Sequence, residues 1–332
     1  MDAISPPAGA LEPAVRAALP LWSLSPACRI SLLNVSENTT FRLDDPKTGR
    51  RLVLRVHRPG YHAEAEIASE LAWIRALEQA GIATAAPVPT AAGNPLGRVH
   101  PPDGPRHAVA FEHLPGRPPQ PDEALGGWFC RLGGLAARLH RHARAWRPPP
   151  GFTRKTWDFE TMLGRRAVWG DWRAGRGLDR AGRALLERAA ACLHRRLARL
   201  GTSPGRFGLI HADLRLANLL IDGPALRVID FDDCGFGWFA YDFAASVSFI
   251  EHDPAVPALL ADWLEGYREV APFGPEDAAE IPAFVMLRRL LLTAWIASHA
   301  EAAEARELGP GYAAGTLALA EEFLCRYGAG RA

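Results

Sequence analysis

The 332-residue chain has almost no lysine: Lys47 and Lys155 are the only two, and the other 36 of its 38 basic residues are arginine. It also lacks a charge excess. The net charge is +1, with 23% charged residues, which excludes a polyelectrolyte tail and argues against a nucleic-acid partner, since such binders carry a basic surplus. The five cysteines (Cys28, Cys130, Cys192, Cys234 and Cys325) are widely spaced and form no CxxC. Neither a disulfide framework nor a zinc site is expected, and a reducing, cytoplasmic setting fits. The N-terminus shows no basic start followed by an apolar run, so no signal peptide is expected. The apolar stretch LLLTAWIA near the C-terminus is too short to span a bilayer, so no membrane partner is expected either. There is no internal repeat, and no low-complexity tract beyond Pro148-Pro149-Pro150. What remains is a chain that is 48% hydrophobic, long enough for one large domain or two medium ones with a sizeable core.

The character of the chain changes along its length. CRISLLNVS, TTFRL and RRLVLRVH read as strands within residues 28–57, separated by a Ser36-Glu37-Asn38 turn and by DDPKTG. Residues 61–80 read as a helix, because Ile67, Leu71, Ile74 and Leu77 recur at spacings of three and four, with Gly81 as C-cap. AVAFEHL is a further strand, closed by Pro115-Gly116. Beyond it, residues 122–143 and 178–200 are amphipathic helices, residues 207–231 a β-rich insert, and the segment from 239 onward helical again. A strand-rich front and a helix-rich rear predict an α+β protein of two lobes, residues 1–115 and 116–332. Residues 230–332 hold 6 basic and 17 acidic side chains. That imbalance reads either as solvated helix faces or as a field attracting a cationic substrate.

The insert carries the chemistry. It reads FGLIHADLRLANLLIDGPALRVIDFDD. A short strand enters His211-Ala212-Asp213, Asn218 follows, LLI and LRVI run as two strands around Gly223-Pro224, and the second ends at Asp230. Asp213, Asn218 and Asp230 should therefore converge at one end of a small hairpin. An amide oxygen and a carboxylate are hard oxygen ligands suited to Mg²⁺. A second carboxylate, Asp213, sits beyond the metal's reach and can accept a proton from a hydroxyl nucleophile, the division of labour that phosphoryl transfer needs.

These motifs resemble the aminoglycoside phosphotransferase and choline kinase family, whose members share the protein-kinase-like fold. The resemblance rests on His211-Ala-Asp213-Leu-Arg-Leu-Ala-Asn218, on Val228-Ile229-Asp230-Phe231, and on Tyr241-Asp242-Phe243-Ala244, and covers roughly residues 28–300. It implies a bilobal protein-kinase-like fold, with a small antiparallel-sheet N-lobe carrying one helix and a larger, mainly helical C-lobe. It implies Asp213 as catalytic base, His211 as a brace of the loop, Asn218 and Asp230 as Mg²⁺ ligands, and Asp242 as a tie between the loop and a helix start. ATP or GTP is the implied co-substrate, bound by the N-lobe.

The N-lobe departs from a protein kinase in two ways. No GxGxxG is present; instead Ser36, Asn38, Thr39 and Thr40 offer backbone N–H and hydroxyl groups to phosphate. Arg55 stands where a kinase strand carries its phosphate-clamping lysine, and its forked guanidinium can hold phosphates by a different geometry. Its expected partner is Glu70, with Glu66 one turn earlier as the fallback. Glu112, His113 and Leu114 would form the hinge whose backbone meets the purine.

The acceptor side is less determined. Trp157, Asp158, Trp169, Asp171 and Trp172 are read either as core packing or as an ammonium-holding set, and Asp232 and Asp233 with Trp238 are a second candidate region for a cationic acceptor. Cys234, Gly235 and Gly237 read as turn residues. His140 and His142 fall on different helix faces and read as a basic helix end. The leading expectation is a Mg²⁺-dependent kinase that moves the γ-phosphate of ATP or GTP to a small-molecule hydroxyl, on an aminoglycoside-like compound, choline or ethanolamine, homoserine, or a sugar derivative. The alternatives are a bacterial stress-type Ser/Thr protein kinase of the same fold, and a non-catalytic nucleotide-binding protein. The first is disfavoured by the short segment after Asp230, the second by the intact Asp213, Asn218 and Asp230.

Overall fold

A computed structural model describes residues 11–35, 38–300, 302–309 and 311–328. The chain divides into two compact units. The first runs to Gly116 and also takes Arg147–Arg154; the second comprises Arg117–Trp146 and the chain from Lys155 onward.

The first unit is built on an antiparallel sheet. Its strands are β1 (Arg29–Val35), β2 (Thr39–Asp44), β3 (Arg51–Val56), β4 (Pro87–Val88), β5 (Gly97–Val99) and β6 (Arg106–Glu112). Their order is β1-β2-β3-β6-β4, with β5 also paired to β6. Period-two alternation gives β2 and β3 one apolar face: Thr39 pairs with Val56, Phe41 with Leu54 and Leu43 with Leu52, all buried. That face is covered by α1 (Glu12–Ala18) and the 3-10 turn Leu19–Trp22, through Leu11, Val15, Leu19 and Trp22. The unit thus holds two helices where one was expected; α1 spans only two turns, too short for its periodicity to stand out in the sequence. The second helix, α2 (Glu64–Gln79), buries the expected Ile67, Leu71, Ile74 and Leu77. It ends at Gly81, whose φ of +75° an alanine would adopt only with strain. Arg147–Arg154 joins this unit because Thr153 N–H donates to Ser69 Oγ (2.9 Å) and Arg154 to the Glu66 carbonyl (3.0 Å).

The second unit is mainly helical: α3 (Gly126–Ala145), α4 (Phe159–Met162), α5 (Arg180–Leu200), α6 (Tyr241–Ser246), α7 (Val256–Val270), α8 (Pro275–Ser298), α9 (Ala303–Leu308) and α10 (Gly311–Tyr327). Helices α3 and α7 cross at backbone contact. A Cβ on Gly133 would lie 1.9 Å from the Trp263 carbonyl oxygen, and one on Gly266 1.8 Å from that of Cys130. Helix α8 is by length and composition the one described helix apolar enough to cross a membrane, yet 78% of its apolar window is buried inside the protein. It is the core helix of this unit. LLLTAWIA is the buried C-terminal part of it.

Two small antiparallel pairs interrupt the helices. Strand β7 (Phe207–Ile210) pairs with β10 (Gly235–Trp238), and β8 (Leu219–Asp222) with β9 (Ala225–Val228). Gly235 and Gly237 are therefore strand residues rather than turn residues. A Cβ on Gly235 would meet the Lys155 carbonyl oxygen at 2.5 Å, and one on Gly237 would meet Ile210 at 2.5 Å, so close approach is what requires glycine there.

Candidate active site

In the second unit the site is assembled at the ends of these two pairs. Strand β7 delivers His211, and the chain then passes through Ala212 in the left-handed region, at φ +68°. A non-glycine residue holds this conformation only when its surroundings impose it. Here they do: the Asp242 carboxylate accepts the His211 N–H (3.2 Å) and the Ala212 N–H (2.7 Å). Asp242, at the start of α6, is itself fully buried and lies 2.8 Å from His140 Nε2. Because a carboxylate only accepts, His140 donates from Nε2, and its Nδ1 accepts from the Tyr267 hydroxyl at 3.0 Å. Burial pushes the His140 pKa down and outweighs the pull of Asp242 the other way. His140 is thus a neutral buried brace of the loop after β7, through Asp242, and not part of a basic helix end.

His211 ties the loop to the neighbouring hairpin. Its Nδ1 accepts the Asp213 N–H and its Nε2 donates to the Ile229 carbonyl, both at 3.2 Å. Burial likewise lowers its pKa, which keeps the ring neutral. In the hairpin, Leu219 pairs with Val228, and the Ile229 N–H donates to the Asn218 carbonyl at 2.9 Å. Asn218 and Asp230 therefore flank one end, as the spacing predicts. Asp230 has a φ of +63°, a second left-handed non-glycine residue of the site. Asn218 is buried, and its amide nitrogen donates to the Asp213 carbonyl (2.9 Å) and to Asp213 Oδ2 (2.7 Å). With the nitrogen spent on Asp213, the amide oxygen is the atom Asn218 would give to a cation. Among the described residues no cluster of three or more His, Cys, Asp or Glu side chains has metal-holding geometry. An amide oxygen and one carboxylate fit Mg²⁺, which completes its shell with water and phosphate oxygens.

Asp213 has two partners that sequence reasoning missed. Arg288 Nη2, from α8, donates to its Oδ1 at 2.6 Å, and Arg215 Nε lies 3.4 Å from Oδ2. Burial alone would raise the Asp213 pKa; the charges of Arg288 and Arg215 prevail and hold it below the ordinary carboxylate value. Asp213 is therefore ionised and ready to accept a proton, and 15% of its side-chain surface stays exposed. Arg215 sits inside the quoted motif at a position that specifies no residue type. Arg288 lies 75 residues away on an apolar helix, where no local signal marks it.

In the first unit, Arg55 and Glu70 form the expected pair. Nη2 meets Oε1 at 2.8 Å and Oε2 at 2.7 Å, and the side chains are 5% and 0% exposed. Glu66 is used otherwise: its Oε2 accepts the Ala63 N–H at 2.8 Å and so closes the first turn of α2. The guanidinium lies 5.1 Å from the Phe111 ring centre. Sheet register separates the two threonine side chains. Arg55 pairs with Thr40, so Thr40 shares its face, whereas Thr39 is buried on the opposite face with Val56. Asn38 Oδ1 accepts the Arg58 N–H at 3.2 Å; Ser36 lies outside the described residues. In the hinge segment, the N–H groups of Glu112 and His113 are taken by the carbonyls of Ala86 (2.8 Å) and Arg51 (3.3 Å).

The tryptophan-rich segment is core. Trp157, Trp169 and Trp172 are buried. Asp158 caps α4 through the Thr161 N–H (2.9 Å), and Asp171 caps the 3-10 turn Trp172–Ala174 through the Arg173 N–H (3.0 Å). Trp238 packs in β10 and donates to the Gly201 carbonyl at 2.7 Å. Asp232 is buried, and the Asp233 carboxylate pairs with the chain's own ammonium, Lys155 Nζ, at 3.2 Å.

Residues 30–281 match the model of the phosphotransferase enzyme family APH. The chain belongs to that family. It is similar to a microcompartment-associated aminopropanol kinase of known structure, with 44% identity, 95% of this chain and 98% of that one covered, and a TM-score of 0.87. It is also similar to an amicoumacin kinase solved in complex with AMP-PNP, Ca²⁺ and Ami, at 24% identity over 95% and 93% of the chains and a TM-score of 0.76. The amicoumacin kinase of Bacillus subtilis (strain 168) is 25% identical over 259 residues, 74% of each chain. This APH protein is accordingly a small-molecule kinase acting on a hydroxyl acceptor, on the protein-kinase-like fold. The protein-kinase and non-catalytic alternatives give way to that assignment.

Proposed function

We propose that this kinase phosphorylates the hydroxyl of a short, cationic amino alcohol of the aminopropanol type, with ATP as phosphoryl donor. The acceptor class rests on the likeness to the aminopropanol kinase across nearly the whole chain. The observation that carries the chemistry is Asp213, a depressed-pKa carboxylate held by the Asn218 amide nitrogen, so that a cation bound by Asn218 would take its amide oxygen.

Asp213 orients the acceptor hydroxyl and takes its proton as the oxygen attacks the γ-phosphorus. The new P–O bond forms, the bond to the β-phosphate oxygen breaks, and ADP leaves. Arg55, held by Glu70, steadies the donor's phosphates. Asn218 and Asp230 would hold Mg²⁺, which supplies charge neutralisation of those phosphates when bound. His211, Asp242 and His140 keep the loop in its left-handed turn.

The test is a coupled ADP-release assay with Mg²⁺. Its acceptor panel is 1-amino-2-propanol, ethanolamine, choline, homoserine, amicoumacin and aminoglycosides, with GTP as an alternative donor. Turnover should be best with the short amino alcohols, and Asp213→Ala should lower it by about 10²–10⁴-fold, the range of a positioned base. Turnover confined to the antibiotics would overturn the acceptor class, and an undiminished Asp213→Ala variant would overturn the base.

A further inference from the structure

Arg288 and Arg289 are adjacent, both on α8, and both 2% exposed in their side chains. They are spent differently. Arg289 is closed within a structural cluster: Nη1 donates to Glu251 Oε2 (2.7 Å), Nε to Thr316 Oγ1 (2.9 Å) and Nη2 to the Tyr312 carbonyl (2.9 Å), while Tyr312 OH donates to Glu251 Oε1 at 3.0 Å. No residue of the catalytic loop takes part. Arg288 instead reaches that loop at two points, Asp213 Oδ1 (2.6 Å) and the carbonyl of left-handed Ala212 (3.4 Å). Two more of its donors are fixed by Ser248 Oγ (2.9 Å, from Nε) and the Tyr241 hydroxyl (3.1 Å, from Nη1), and its guanidinium lies 5.2 Å from the Trp169 ring centre.

We propose that Arg288 is a positioning residue for phosphoryl transfer, aiming the Asp213 carboxylate at the acceptor. This rests on the reading of Asp213 as the base. A carboxylate offers about four acceptor sites on its two oxygens. Arg288 takes one on Oδ1, Asn218 one on Oδ2, and Arg215 Nε lies 3.4 Å from Oδ2, so the group is pinned at both ends while one acceptor site remains for the acceptor O–H. The two peptides flanking the Ala212 Cα are gripped as well, the Ala212 N–H by Asp242 and the Ala212 carbonyl by Arg288. Arginine cannot exchange its proton in this range, so Arg288 contributes aim and charge rather than acid–base chemistry. Its planar fork, docked to four protein partners, sets the carboxylate rotamer before substrate arrives.

The experiment is a double-mutant cycle on kcat with the full-length kinase. Misaiming a catalytic group by about 1 Å costs about 10²-fold, so Arg288→Met should lose about that in kcat with the KM for ATP little changed. Arg288→Lys should recover part of it. Adding Arg288→Met to Asp213→Ala should cost nothing further, because the arginine acts through that carboxylate. Tyr241→Phe, which removes one partner of Arg288 and leaves Asp213 untouched, should lower kcat modestly at unchanged KM and remains informative if Arg288→Met does not fold. Arg289→Lys should lower the melting temperature and leave kcat alone. Full kcat in Arg288→Lys and Tyr241→Phe together, or multiplicative losses in the double variant, would overturn the proposal. An Asp213→Ala variant with wild-type turnover would instead overturn the base assignment on which it rests.

Discussion

Replacing Arg55 by lysine should leave this enzyme working, although the arginine is its most evident departure from a kinase strand. One nitrogen, Nη2, meets both Glu70 oxygens. A lysine ammonium is also a single nitrogen, with three donors, so Arg55→Lys can keep the pair with a small shift of the stem. Glu70→Ala is a different perturbation. It strands a guanidinium that is 5% exposed. Removing one partner of a buried pair costs about 3–5 kcal/mol, and at roughly 2–4 °C per kcal/mol the thermal midpoint should fall on the order of 10 °C. Arg55→Ala strands Glu70 instead and also removes the phosphate clamp, so it should lose at least about 10²-fold in kcat/KM, whereas Arg55→Lys should stay within about 10-fold. The measurements are circular-dichroism melting and coupled ADP release on the same preparations. A Glu70→Ala variant that melts with the wild type would refute the buried-pair energetics. An Arg55→Ala variant with full kcat/KM would show that β3 does not carry the phosphate clamp.

Two further outcomes follow from the second unit. Gly266→Ala should destabilise by about 1–3 kcal/mol or more, because the new Cβ meets the Cys130 carbonyl at 1.8 Å and rigid helices, not a flexible side chain, must part; an unchanged urea midpoint would contradict the α3–α7 contact. His140 has a native pKa below its ordinary 6.5. The unfolded chain therefore binds the proton more readily, and the stability this imidazole contributes is full above pH 6.5 and lost as pH falls toward the lowered value. Melting temperatures between pH 7 and 5 should accordingly drop more steeply for the wild type than for His140→Gln, and parallel curves would refute the buried neutral histidine.

The parts of the site legible in the sequence are those whose members lie close along the chain. Asn218 and Asp230 flank one end of the β8–β9 hairpin, which the strand–turn–strand pattern brings together, and Asp213 lies only five residues before Asn218, to which it is bonded. Arg55 and Glu70 are 15 residues apart on a strand and the next helix. Choosing Glu70 over Glu66 required the helix start, where Glu66 is consumed as a cap. Choosing Thr40 over Thr39 required the register, since a shift of one residue reverses the face. Gly235 and Gly237 looked like turn residues because glycine's commonest reason is φ; here the reason is close packing, against the Lys155 backbone for Gly235 and against the Ile210 side chain for Gly237.

The sequence by itself determined the two-part α+β organisation, the catalytic motif, the buried stripe of α2 and the phosphoryl-transfer chemistry, because each is written in short-range spacing of residue types. Only the tertiary structure decided what surrounds Asp213 and supports its loop. His140 meets Asp242 across 102 residues, and Arg288 meets Asp213 across 75. Those contacts depend on which face α3 and α8 turn inward when they pack, a property of the whole core. A buried histidine and a buried arginine carry no local mark that separates a brace or an aiming group from ordinary helix composition.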